Sequence, residues 1–166
     1  MPRLRDPLLR LGFRVGYRVL RVWWLVRRPT SRGVKCVLAC GDEILLVRHT
    51  YGPRGRWDLP GGGVKRREEP PAAARREVRE ELGIDLPTLE PLGELFTRID
   101  SKRNRLWCYA AEVDSPDELE RDAAEIAECR WFPRDELPDE RAKYVEQTVA
   151  LAGADTAAER LRKLPQ

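Results

Sequence analysis

Gly62-Gly-Val-Lys-Arg-Arg-Glu-Glu-Pro-Pro-Ala-Ala-Ala-Arg-Arg-Glu-Val-Arg-Glu-Glu-Leu-Gly-Ile84 is the stretch whose reading decides the fold. It opens on a glycine turn and a polar loop. Strong helix formers then predict a helix over Ala72–Leu82, ended by Gly83 at the position where a left-handed cap is favoured. Glu77, Glu80 and Glu81 are spaced i, i+3, i+4, so they fall within roughly a 100° arc of that helix. Ala74, Val78 and Leu82 are expected on the opposite face, toward a core. Three clustered carboxylates repel one another and call for a cation, and an oxygen-only donor set suits Mg²⁺ or Mn²⁺. Gly61 and Gly62 permit a tight backbone turn that lets a carbonyl approach the same ion. Taken alone, Arg-Glu-Val-Arg-Glu-Glu also reads as a solvated helix face of i, i+4 ion pairs.

The spacing upstream decides between these readings. Gly62, Glu68, Arg76-Glu77, Val78, Glu80-Glu81, Gly83 and Ile84 stand at every fixed position of the Nudix box. The chain resembles the Nudix hydrolase superfamily from about Gly33 to Phe132. The resemblance implies an α+β fold, an α/β/α sandwich whose mixed sheet carries a loop-helix-loop metal site. It implies a hydrolase that cleaves the diphosphate linkage of a nucleoside diphosphate-type substrate with Mg²⁺ or Mn²⁺. By position, Glu80 and Glu81 would be the principal metal ligands. Glu77 would be a further ligand or the carboxylate that activates water, and the Gly61 carbonyl would contact the metal. Glu68 and Arg76 would tie the loop to the helix. Glu125, six residues before Trp131, matches a carboxylate that in many members touches metal or orients water; alternatively it is one exposed acid among several. Two positions depart from common family usage. Lys65 stands where members often carry Glu, and Arg67 where they often carry Gly.

Substrate contacts are less sharply marked. Lys65 places a cation near the phosphate site. His49, the single histidine, lies between a strand and the loop leading to the box. Arg98 belongs to a basic cluster with Lys102, Arg103 and Arg105, which reads either as a phosphate attractor or as a solvated hairpin tip. Tyr51, Trp57 and Trp107 are candidates for stacking on a base, although aromatics on strands are usually core. The substrate stays open among nucleoside triphosphates, oxidised triphosphates, nucleotide sugars and ADP-ribose. A non-catalytic Nudix-fold nucleotide sensor is the alternative function.

Outward from the box, Val34–Ala39 and Ile44–Val47 read as strands joined by a hairpin turn at Gly41-Asp42. Trp57–Leu59 is a short extended piece. Leu92–Thr97, Leu106–Val113 and Cys129–Phe132 read as further strands. Helices are expected at about Asp139–Leu151 and Thr156–Leu164.

Charge divides the chain in two. Residues 1–32 carry nine Arg against Asp6 alone, whereas residues 33–166 carry 22 basic and 27 acidic groups. The acidic body argues against broad nucleic-acid binding and leaves a small phosphorylated molecule as the expected partner. Domain organisation is therefore read as a basic amphipathic helix with its linker over 1–32 and the hydrolase domain over 33–166. Asp6-Pro7 starts that helix, Pro29 stops it, and Thr30–Gly33 reads as the linker. Arg10, Arg14, Arg18 and Arg21 line one face, while Leu9, Phe13, Val19, Trp23 and Trp24 supply apolar surface. Three placements stay open: packing on the chain's own core or in a homodimer, contact with an anionic membrane surface, or mitochondrial targeting. The arginines interrupt any secretory or membrane-spanning run. Cys36, Cys40, Cys108 and Cys129 lack metal-ligand spacing and read as reduced thiols, which points to a cytoplasmic protein, peripheral at a membrane if the arm binds one.

Overall fold

Val34–Leu38 and Ile44–Val47 are each buried without a break, the pattern of strands covered on both faces. The computed structural model describes residues 30–51, 55–99, 102–114 and 119–153, together with Gly16. Within it these runs form β1 (Thr30–Cys40) and β2 (Glu43–His49), followed by α1 (Pro70–Leu82), β3 (Glu90–Ile99), β4 (Lys102–Glu112), β5 (Ile126–Pro133) and α2 (Lys143–Ala152). The sheet order is β3-β4-β1-β2-β5. β1 runs parallel to β4, and every other neighbouring pair is antiparallel.

Strand alternation distributes the core. Val34, Cys36 and Leu38 of β1, with Leu45 and Val47 of β2, pack with Ala73, Ala74, Val78 and Leu82 of α1. Val37 and Ala39, with Ile44 and Leu46, pack with Tyr144, Val145, Val149 and Leu151 of α2. The two helices therefore cover opposite faces of one mixed sheet, the α+β sandwich anticipated above. Full burial of a Leu such as Leu82 or Leu151 stabilises this arrangement by roughly 1.5–3 kcal/mol.

Several boundaries differ from the sequence reading. Thr30–Gly33, read as a linker, is the start of β1 and pairs with Arg103–Leu106 of β4; a parallel partner remote in sequence extends a strand that local polarity would end. The basic loop around Arg98 is largely strand, with Arg98 opposite Arg103 and Ile99 opposite Lys102. α1 begins at Pro70, with proline in its first turn, where a missing N–H costs nothing. Asp139–Ala142 stays outside α2, because Trp57 N–H donates to Glu140 O and Ala142 N–H to Trp57 O, at 2.7 and 2.8 Å. Apart from Gly16, the helices expected over Pro7–Arg28 and Thr156–Leu164 lie outside the described residues. Among the described residues, no helix is long and apolar enough to cross a membrane.

The site is positioned by a parting of β1 and β2. They pair only at Ala39–Ile44 and Cys40–Glu43, beside their turn. Beyond it, residues 58–64 fill the gap. Asp58 exchanges two backbone bonds of 2.9 Å with Val47, while Cys36 and Val34 donate to Pro60 O and Gly62 O, each at 2.9 Å.

Candidate active site

Gly61 is wedged against the backbone of β1. Its φ is 128°, and a Cβ there would stand 2.3 Å from the Val34 carbonyl oxygen, so no side chain fits. Its N–H donates to Glu81 Oε2 at 2.9 Å. At Gly62 a Cβ would stand 2.5 Å from Glu77 Oε2. Two carboxylates from successive turns of α1 thus rest on two consecutive glycines, Glu81 on the Gly61 N–H and Glu77 in the space a side chain at Gly62 would fill.

The three box carboxylates have different surroundings. Glu81 is 3% exposed and does not lie opposite the core-facing residues, as the sequence reading had it. It follows Ala74 by two turns of helix, and both are buried on the same face. Burial pushes its carboxyl up to about 8; the Lys35 charge and the Gly61 N–H pull it down, and Glu77 and Glu125 add repulsion. Glu77 is largely enclosed. Glu80 keeps 55% of its side chain exposed.

Arg76 holds the outer part of the site together. Its Nη1 donates to Glu77 Oε1 at 2.8 Å and to Glu80 Oε2 at 3.0 Å. Its Nε and Nη2 form a fork on Glu68, at 2.8 and 2.9 Å, and Nη2 also reaches Gly63 O at 2.9 Å. The Lys65 backbone N–H donates to Glu68 Oε2 at 2.7 Å. The Arg76 bonds, and then that N–H, hold the Glu68 carboxyl down at about 2. Glu68 and Arg76 therefore do join loop to helix. Lys65 Nζ is 3.9 Å from Glu80 Oε1, with 63% of the side chain exposed.

Glu125 enters from the turn before β5. That turn is fixed by Thr50 N–H donating to Glu125 O at 2.8 Å. The Glu125 carboxyl is raised by partial burial first, then by Asp122, Glu77 and Glu80. It therefore belongs to the same electrostatic cluster as the box carboxylates. Among the described residues, no three His, Cys, Asp or Glu side chains stand together as a formed metal cage. Glu77 and Glu80 are turned onto Arg76. The donor set nonetheless fits a hard divalent cation: four mutually repelling carboxyl groups and a glycine carbonyl, all oxygen.

His49 is half-buried and stacked on Tyr51, with ring centroids 5.1 Å apart. Burial, and secondarily Lys35, hold its imidazole down at about 4, so it is neutral at pH 7. Arg98 lies in β3, but its side chain is outside the described residues. Trp57 is core, 3% exposed and edge-on to Phe132. The Trp107 indole N–H is bonded to Glu94, with Arg105 over its ring. Cys36 and Cys108 are buried, and all four thiols are free. The sequence reading passes over Lys35 and Asp58, which meet at 3.0 Å beneath the glycine turn. The available signal was a lone lysine inside the apolar run Val34–Ala39.

The NUDIX domain family matches residues 29–151, and the chain belongs to the Nudix hydrolase superfamily. It is 43% identical over 107 residues to an uncharacterized Nudix hydrolase of Pseudomonas aeruginosa, covering 61% of this chain and 60% of that protein. It is 30% identical over 105 residues to the NAD-capped RNA hydrolase NudC of Mycobacterium tuberculosis, covering 63% of this chain and 33% of that one. The chain thus spans about 60% and 33% of the lengths of these two relatives. In structure it is similar to a MutT NUDIX hydrolase from Burkholderia pseudomallei, with TM-score 0.67, 25% identity, and coverage of 74% of this chain and 97% of that one. It also shares the fold of the NUDIX domain of Shewanella oneidensis NrtR, with TM-score 0.65, 23% identity and coverage of 80% and 88%.

Proposed function

We propose that the chain is a divalent-metal-dependent hydrolase of diphosphate linkages in small nucleoside diphosphate-type molecules. The observation that carries this reading is the seating of Glu81 on the Gly61 N–H and of Glu77 against Gly62, with Glu80 beside Glu77 on Arg76. Such a cluster is electrostatically unfavourable by itself and becomes favourable around a cation. Glu80, Glu81 and the Gly61 carbonyl would hold Mg²⁺ or Mn²⁺, with Glu77 or Glu125 completing the set. Bound metal supplies charge neutralisation of the diphosphate oxygens and a lowered pKa for a bound water.

The chain's own residues do the rest. Glu77 exchanges its bond with Arg76 for the site interior, while the Glu68–Arg76 fork keeps the loop seated. Glu125 would accept a proton from the attacking water at its carboxylate oxygen. Lys65 is free enough to turn toward phosphate oxygens. His49, neutral, would contact substrate by its ring or as a hydrogen-bonding group rather than as a cation; Arg98 would add positive charge from β3.

The test is a screen over nucleoside triphosphates, nucleotide sugars, dinucleotides and ADP-ribose, with Mg²⁺ or Mn²⁺ and with chelator, in which products are separated and quantified by chromatography. We expect turnover of at least one compound, abolished by chelator. Turnover indifferent to chelator would refute the metal mechanism. Tight nucleotide binding with no turnover of any compound would favour a sensor.

A further inference from the structure

We propose that Lys35 is a positioning residue for the glycine turn, holding the Gly61 carbonyl where the carboxylate cluster needs it. The inference rests on the reading that this turn and the box carboxylates hold a divalent cation.

Lys35 sits in the middle of β1 and is 8% exposed. Strand alternation puts it on the α2 face with Val37 and Ala39, and its Nζ lies 5.9 Å from the Tyr144 ring. An ammonium buried there is strongly unfavourable without partners. It has three protons to place, and three acceptors surround it: Asp58 Oδ2 at 3.0 Å, Leu59 O at 2.8 Å and Gly61 O at 3.3 Å. All three belong to the segment that fills the gap between β1 and β2. Asp58 is itself held, because Oδ1 accepts the Leu59 N–H at 2.7 Å and the Tyr144 hydroxyl.

The consequence lies in where Gly61 stands. Its N–H is taken by Glu81, from the α1 side, at 2.9 Å. Its carbonyl is taken by Lys35, from the α2 side. The Pro60–Gly61 peptide unit is held through its N–H by Glu81 and through Pro60 O by the Cys36 N–H, and the next unit through its Gly61 carbonyl by Lys35. The two peptide units that meet at Gly61 are thus each held by an ionisable side chain, the two reaching the turn from opposite faces of the sheet. A carbonyl oxygen has two lone pairs, so the bond from Lys35 leaves one for a cation.

The experiment measures Mn²⁺ affinity by the paramagnetic resonance signal of free Mn²⁺, with no substrate present, alongside urea denaturation. It compares wild type, Lys35→Met, Lys35→Met/Asp58→Asn and Lys35→Arg. Lys35→Met leaves the half-buried Asp58 carboxylate without its cation, and a loss of stability is expected. The double variant removes both charges and keeps the Oδ1 acceptor for Leu59 and Tyr144, so its denaturation midpoint should return toward wild type. Its Mn²⁺ Kd should nevertheless stay weaker by roughly tenfold or more, the usual effect of losing a residue that orients a ligand. Lys35→Arg keeps the ion pair but redirects the donors, and it too should bind Mn²⁺ less tightly.

A folded double variant with wild-type Mn²⁺ affinity overturns the proposal, and would leave Lys35 as a charge-balancing residue only. If the double variant does not fold, wild-type affinity in Lys35→Arg overturns it instead. Absence of Mn²⁺ binding by wild type would refute the metal site and this inference together. Weakened Mn²⁺ binding in a protein that hydrolyses no nucleotide would uphold the role of Lys35 while removing the proposed activity.

Discussion

Arg67 adopts φ 65°, in the left-handed region, at a loop position where related sequences often carry glycine. For a residue with a Cβ that conformation costs about 1–2 kcal/mol. Arg67→Gly relieves it but widens the unfolded ensemble, which offsets about 0.4–1 kcal/mol. We therefore expect a net stabilisation of about 0–1.6 kcal/mol by urea denaturation; a clear loss would show that the Arg67 side chain makes a contact worth more than the strain. Glu80 and Glu81 are neighbours in sequence with opposite exposure, 55% of the side chain against 3% of the residue. Glu80→Gln and Glu81→Gln are each expected to lower kcat by orders of magnitude at saturating Mg²⁺, because each removes charge from the ion site. Near wild-type turnover in Glu80→Gln would contradict the assignment of ligands. Their identity was legible in the box spacing. Their exposure was not, since it depends on which side of α1 meets β1.

The glycine turn and α1 work as a pair, and the two glycines make different demands. Gly61→Ala would drive a methyl to 2.3 Å from the Val34 carbonyl at φ 128°. The segment must leave the gap between β1 and β2, so we expect a loss of more than about 3 kcal/mol, or no folded protein, because overpacking and backbone strain add. Gly62→Ala meets only the Glu77 carboxylate, at 2.5 Å, and that side chain can move. We expect a folded protein with little change in denaturation midpoint but weakened Mn²⁺ binding and lower kcat. Equal damage from both substitutions in circular dichroism melts would refute the distinction. The sequence marks Gly61 and Gly62 alike as permissive. Which of them touches backbone and which touches a carboxylate follows only from how the loop docks.

Across the domain, displaced titrations shape the pH response of the metal-free protein, those of Glu81, His49 and Glu68 among them. The folded chain keeps a proton on Glu81 up to about pH 8, while an ordinary carboxyl releases it near 4.5. Stability from this group is therefore complete below pH 4.5 and lost as pH rises to about 8. His49, held down at about 4 from an ordinary 6.5, acts oppositely: its contribution is complete above 6.5 and lost as pH falls to about 4. Glu68, held at about 2 by Arg76, loses its contribution only in stronger acid. Metal-free stability should accordingly fall from pH 6.5 to 8, flatten in Glu81→Gln, and be recovered by Mn²⁺ increasingly as pH rises, since binding releases the proton. Melts with chelator and with Mn²⁺ across that range check this; a metal-free curve that rises toward pH 8 would contradict it. The basic arm is the other property of the whole chain. Because Thr30 already pairs with β4, removal of residues 1–29 should spare the sheet and metal binding, while the loss of so much apolar surface changes oligomeric mass or vesicle flotation. Identical light scattering and flotation for both proteins would reject self-association and membrane contact alike.

Local chemistry alone determined α1, its glycine end and its row of carboxylates, because helix period and capping act between residues a few positions apart. It also determined where most strands lie, since apolar runs bounded by turn residues need no partner to be recognised. The parallel pairing of β1 with β4, the parting of β1 from β2, the burial of Glu81 and the meeting of Lys35 with Asp58 were decided by the tertiary structure. Each depends on groups far apart in the chain, and on a buried charge finding its partner only after the loop has entered the sheet.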